Sequence, residues 1–167
     1  MADTLPSYSS REVELVFLEQ NITGVADNFA SIEQNSDFTD EAVGGFGEVG
    51  VSISPDHTGM FELTLQQTSL TNKFLSNVII LQRLNKTLYR GSLTLKDPSG
   101  GALVQLRDCH IKKAPTLGFS SQMQDRTWTI FCADYVYLEL PAGMTNAAAA
   151  LGGILATTET LSKFSVK

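Results

Sequence analysis

Alternation constrains this chain more than any other feature. Over most of its length apolar and polar residues exchange at every second position, and one stretch alone breaks to a helical period. Val13, Leu15 and Phe17 alternate with Glu12, Glu14, Val16 and Leu18. Val49, Val51 and Ile53 alternate with Glu48, Gly50, Ser52 and Ser54, and Phe61, Leu63 and Leu65 with Glu62, Thr64 and Gln66. Successive side chains of a strand point to opposite faces, so each run predicts a strand with one apolar face. Pro55–Gly59 reads as a turn, which predicts an antiparallel hairpin of Val49–Ile53 with Phe61–Leu65. The aliphatic and aromatic side chains of both strands are expected in the core, because leaving them wet is costly. Glu48, Ser52, Glu62, Thr64 and Gln66 then share the opposite face.

The remaining strands are read the same way. Ile22–Gln34 is a weaker strand with bends at Gly24 and at Asp27-Asn28. Tyr89–Lys96 and Ala102–Lys113 flank the turn Asp97–Gly101, and Pro115 stops the second of them. Phe119–Leu140 predicts a last long strand or hairpin, with Trp128, Ile130 and Cys132 on one side. The helical stretch carries Leu70, Phe74, Leu75, Val78, Ile79 and Leu81 along one face. It predicts a helix over Leu70–Leu84 with Thr68 or Ser69 as N-cap, and with Arg83 and Lys86 complementing the C-terminal dipole. Many strands with one helix and no βαβ rhythm give a mainly β fold, an antiparallel sandwich or barrel with one flanking helix.

At 167 residues and 43% hydrophobic, the chain has material for one domain with a real core. That domain is assigned to residues 1–143. Beyond Pro141-Ala-Gly143 the composition turns to low complexity, with Ala147–Ala150, Gly152-Gly153 and Thr157-Thr158, so residues 144–167 are read as an extension. Met1–Arg11 is polar, without the basic-then-apolar order of a secretory signal. No apolar run approaches the roughly 20 residues of a membrane span, so no membrane insertion is expected.

Catalytic chemistry is sought and not found. His57 falls in a turn and His110 in a strand, and no serine sits in a G-x-S-x-G elbow. Gly44–Gly47 is not followed by a helix, as a phosphate-cradling loop would be. Adjacent Cys109 and His110 point to opposite strand faces, which argues against a metal site with Cys132 and His57 and for two buried free thiols. No catalytic, cofactor-binding or metal-ligating residue is expected. Twelve basic against eighteen acidic side chains leave a net charge of −6, which disfavours a phosphate-gripping surface and permits DNA to pass without sticking.

Two features point outward. Residues 35–47 are polar, acidic and glycine-rich, and read as a long loop or flexible hairpin tip of the kind that is usually functional. Neither Glu48–Ser54 nor Glu62–Gln66 carries the lysine or proline that guards a monomer's sheet edge, and Val16, Leu18, Phe131 and Val136 give second faces that are not plainly wet. Both predict pairing with a neighbouring subunit.

Several short motifs, in order, then carry a resemblance. They are Tyr8-Ser9, Ile22-Thr-Gly24, Ser31-Ile-Glu33 with Asn35-Ser-Asp37, Gly47-Glu-Val49 and Asp56-x-x-Gly59. Leu63-Thr-Leu-Gln-Gln-Thr-Ser69-x-x-Asn72 follows, then Leu93-x-Leu-x-Asp97-x-Ser-Gly100, Ile111-x-Lys-x-Pro115 and Arg126-x-Trp128-x-Ile130. From Tyr8 to Gly143 the chain resembles the tail tube proteins of contractile-tailed bacteriophages. It departs from that pattern at Asp37-Phe38, where an alanine is missing, and in the added residues 144–167.

The resemblance implies a structural protein without enzymatic activity or cofactor. Six subunits would close into a ring, and rings would stack into a tube whose inner wall is one β-barrel shared among subunits. The implied partners are other copies of the chain, the sheath outside, the tape-measure protein and later the genome in the lumen, and the baseplate and tail terminator at the ends. The implied place is the virion tail, after assembly in the host cytoplasm. Glu48, Ser52, Glu62, Thr64 and Gln66 become the lumen-facing candidates. Asn35, Asp37, Asp40, Glu41, Gly44, Gly45 and Phe46 become candidates for contact between rings. A related ring component, such as a tail terminator, baseplate ring or secretion-system or bacteriocin tube protein, is the alternative, and a ligand-binding or enzymatic sandwich is a third.

Overall fold

A computed structural model describes residues 10–98 and 101–139, so the 144–167 extension lies outside the described residues. A 3-10 turn at Ser10–Glu12 leads into β1 (Glu14–Phe17), β2 (Gln20–Asn21), β3 (Val25–Gln34), β4 (Thr39–Val43), β5 (Val49–Ile53) and β6 (Gly59–Leu65). The helix α1 (Leu70–Asn85) follows, then β7 (Gly91–Asp97), β8 (Ala102–Lys113), β9 (Arg126–Cys132) and β10 (Asp134–Glu139). Every pairing is antiparallel. The strands follow one path, β2-β1-β7-β8-β9-β6-β3, with β10 also on β8, while β4 and β5 make a separate two-stranded sheet.

The long strand β8 belongs to two layers. Residues 102–107 lie between β7 and β10, whereas residues 110–113 pair with β9. Between the two halves the register slips and Asp108 takes a left-handed φ of 50°. Such a bulge adds one residue and inverts the parity of the strand. Val104 and Leu106 therefore face the core before the bulge, and Cys109 and Ile111 after it. The last strand expected from the sequence follows β8 in the same way. Phe131 stands opposite His110 and Asp134 opposite Arg107, one register interrupted at Ala133. Residues 119–125, expected to open that strand, are irregular instead.

The core fills the space between the layers. Leu15, Phe17, Leu93, Leu95, Val104 and Leu106 come from one, and Phe61, Leu63, Leu65, Ile111, Trp128, Ile130 and Cys132 from the other. The helix contributes Leu75 and Val78, with Phe74 and Ile79 half-buried beside them. Leu70 and Leu81, expected on its inner face, are exposed. Ser69 is the N-cap and accepts from the Thr71 amide at 3.2 Å. The helix start is also tied sideways. Thr71 exchanges hydrogen bonds with Thr23, and the Asn72 side chain receives the Trp128 indole N–H at 2.9 Å while donating to the Gln66 carbonyl at 2.9 Å. Gly24 passes this junction with φ +70°, and a Cβ there would lie 2.7 Å from the Ser69 side chain.

The expected hairpin is overturned as well. Val49–Ile53 does not form a hairpin with Phe61–Leu65, and Val49, Val51 and Ile53 are not core residues. β6 is an interior strand between β3 and β9, so it is not an edge either. β5 pairs instead with β4, which lies inside the stretch read as a long loop or hairpin tip. Thr39-Asp-Glu-Ala-Val43 is a poor strand former by composition, and the partner strand holds it extended. All ten residues of β4 and β5 are exposed, Ile53 at 83%.

Candidate assembly surfaces

The β4–β5 hairpin is an extension that no other described residue covers. Its register sets Thr39 opposite Ile53, Glu41 opposite Val51 and Val43 opposite Val49, so four aliphatic side chains share one face. The other face is small and polar, with Asp40 opposite Ser52 and Ala42 opposite Gly50. At the tip the Gly44 amide donates to the Glu48 carbonyl at 2.7 Å and the Gly47 amide to the Gly44 carbonyl at 2.9 Å, and Phe46 is 98% exposed. Fully burying each valine or isoleucine is worth about 1.5–3 kcal/mol. The apolar face therefore carries a substantial drive to be covered.

The base of the hairpin is fastened to the sandwich. The Asn35 side chain donates to the Thr58 hydroxyl at 2.8 Å, and the Asn35 amide to the Thr58 carbonyl at 3.1 Å. The Asp56 carboxylate accepts the Thr58 amide at 2.9 Å. That bond, with one from the Thr58 hydroxyl, holds the Asp56 carboxyl below the ordinary aspartate range. Asn35 and Asp37 thus lie at the base, Asp40 and Glu41 along the stem, and Gly44, Gly45 and Phe46 at the tip.

The second surface is the outer face of the β3–β6–β9–β8 layer. Two rows cross it, Glu33–Met60–Phe131–His110 and Ser31–Glu62–Thr129–Lys113. Below them Thr64 and Thr127 share a hydrogen bond of 3.0 Å between hydroxyls. Glu62, Lys113, Asp125, Thr127 and Thr129 line a shallow polar trough of about 330 Å³. His110 packs on Phe131 with ring centroids 5.4 Å apart, and burial, then Arg90 and Lys112, push its pKa down. Alternation places Glu62, Thr64 and Gln66 together on this face. Glu48, in the hairpin's turn, and Ser52, in β5, belong to the separate hairpin, so the period-2 link that joined them to Glu62 lapses. Sequence reasoning missed Ser31, Glu33, Thr127 and Thr129 as companions of Glu62. Their alternation is visible in the sequence, but their register across strands is not.

Among the described residues, no group of three His, Cys, Asp or Glu side chains is disposed to hold a metal ion. Cys109 and Cys132 are buried free thiols, and the hydrogen bond between them, with burial, pushes the Cys132 thiol up. No described helix is long and apolar enough to cross a membrane.

The profile of the bacteriophage PhiTE tail tube protein family matches residues 13–138. The chain belongs to this phage tail tube family. No curated protein sequence matches it significantly. Solved structures share its fold at low identity. A chain of the sheath–tube complex of the extracellular contractile injection system PVC, in the extended state, aligns with a TM-score of 0.56 at 12% identity, covering 80% of this chain and 93% of that one. The sheath/tube terminator of the same kind of system aligns at 0.54 and 13% identity, covering 82% and 99%. The tube-terminating cap of the anti-feeding prophage aligns at 0.54 and 10% identity, covering 84% and 95%. The mainly β, antiparallel architecture with one helix is thus the fold of contractile-injection tube and terminator components.

Proposed function

We propose that the protein builds the inner tube of a contractile phage tail, as hexameric rings stacked into a conduit for the genome. The observation that carries this reading is the family match, which spans nearly all of the described β domain. The uncovered hairpin supports it, because an apolar face projecting from a folded domain is suited to an interface. In this reading the tip residues Gly44, Gly45 and Phe46 and the stem residues Asp40 and Glu41 reach the next ring, with Asn35 and Asp37 fixing the stem. Glu62, Thr64 and Gln66 line the lumen, wet positions, acidic or neutral, that do not themselves retain phosphate. Glu48 and Ser52 would meet the lumen only where the hairpin borders it. The sheath lies outside, the tape-measure protein precedes the DNA inside, and baseplate and terminator close the ends. The role is structural and not enzymatic, in the virion after assembly in the host cytoplasm.

A terminator ring is the second reading, favoured by fold likenesses to a terminator and a cap that nearly equal that to the sheath–tube complex. Negative-stain microscopy of the purified protein separates them. Long tubes are expected; isolated rings would favour a terminator, and persistent monomers would remove both.

A further inference from the structure

Two sulfurs in the core take no part in the assembly surfaces. β8 keeps one register against β9 and β10 on either side of its bulge, with Arg107 opposite Asp134, His110 opposite Phe131 and Ile111 opposite Ile130. The same register sets Cys109 opposite Cys132. Both side chains are wholly buried, and a hydrogen bond joins them. The row continues across the sheet to Gly91 of β7 beside Cys109 and to Gly59 of β6 beside Cys132. Glycine at both ends leaves each sulfur no row neighbour with a side chain except the other sulfur.

We propose that Cys109 and Cys132 are the site of an intramolecular disulfide, formed by exchange with a small-molecule disulfide. Opposed residues of antiparallel strands have Cα atoms about 4.5 or 5.5 Å apart, and a disulfide spans Cα atoms about 4.4–6.8 Å apart. The backbone beside each sulfur is already irregular, so it can settle around the bond. Asp108, with its left-handed φ of 50°, adjoins Cys109, and Ala133, between β9 and β10, adjoins Cys132. In the reaction one cysteine, as thiolate, attacks the S–S bond of the oxidant and expels one small thiol, leaving a mixed disulfide. The second thiolate attacks the protein sulfur of that mixed disulfide and expels the other small thiol. The two cysteine protons end on the two expelled thiols, and two electrons pass from the cysteine pair to the oxidant. Burial shields both sulfurs while the strands are shut, so exchange runs through local opening where the ladder is interrupted. The new bond ties off residues 110–131, the span that holds the connection from β8 to β9.

The test holds the full, reduced chain in a buffer of oxidised and reduced glutathione until its composition stops changing, beside the same chain unfolded in concentrated urea. Circular dichroism checks the fold, and intact mass with peptide mapping reads the link. The ratio of linked to dithiol chain should be about tenfold or more higher in the folded sample, because the fold holds the two sulfurs together. The link should appear as the loss of two hydrogens, without a glutathione adduct and with the Cys109 and Cys132 peptides joined. Linked chain should also melt at a higher temperature than dithiol chain, since a bond that the folded state favours stabilises that state in return. Cys109→Ala and Cys132→Ala should each abolish the loss of hydrogens. Folded chain that keeps both thiols overturns the site. So does folded chain that carries only glutathione adducts or links between chains, that is linked no more than unfolded chain, or that melts lower once linked.

Discussion

β5 and β6 read alike in the sequence and end in opposite surroundings. Both alternate apolar and polar residues over a handful of positions. In β6, Phe61, Leu63 and Leu65 are wholly buried, between β3 and β9 and against the other layer. In β5, Val49, Val51 and Ile53 stand in solvent on a two-stranded arm. Alternation states that one face of a strand must be covered; it does not state whether the cover belongs to the same molecule. An isolated two-stranded hairpin is marginal in water, so the arm depends on its fastened base and on what it meets.

The sharpest way to break this contrast is to truncate both strands' apolar residues. Phe61→Ala should lower unfolding free energy by about 3–5 kcal/mol, read by urea denaturation, because it empties a fully buried site. Val51→Asp should change it by less than about 0.5 kcal/mol, as exposed substitutions do, and yet stop tube growth seen by microscopy. A large stability loss at Val51 would mean that the arm folds back on its own subunit. Shortening the arm between Thr39 and Ile53 to a tight turn should likewise leave circular dichroism and melting nearly unchanged and abolish polymerisation. Normal polymerisation would take the ring contact away from the hairpin.

The polar side of β6 gives a smaller effect. Glu62→Lys should permit assembly but slow DNA release from particles, most clearly at low salt, where a cation in the wall holds phosphate. Release at the normal rate would show that Glu62 does not face the genome.

The smallest effect belongs to Asp56, where arm and sandwich join. Its carboxyl titrates below the ordinary value of 3.8 because the folded chain bonds the charged form. That stabilisation is present above 3.8 and is lost as pH falls through the lower, folded value. The Thr58 amide should lose protection, measured against its intrinsic exchange rate, as acid is added and before the core amides do, and Asp56→Ala should remove this dependence. Exchange of core and arm amides in step would show that the two regions open as one.

Much of the sandwich was legible from local pattern. Helix α1 and its Ser69 cap, the bounds of β8, and the inward row Trp128, Ile130 and Cys132 follow from periodicity and capping chemistry. The partner of each strand was not legible, because register depends on residues far apart in the chain. β4 was hidden for that reason: Asp40 and Glu41 argue locally for a loop, and only β5 across from them makes a strand. The outer-face company of Glu62 was hidden likewise, since Ser31 and Thr129 lie 31 and 67 positions away along the chain and yet share its row.

The bulge at Asp108 has a mechanical consequence. Since β8 runs through both layers as one covalent strand, with the β9–β10 ladder following it, the layers are not two plates held by grease alone. Sliding one over the other would have to strip main-chain hydrogen bonds in the same ribbon, and shear applied to either layer is carried into the other along the backbone. Under shear the subunit is therefore expected to move as one body rather than as two sliding layers.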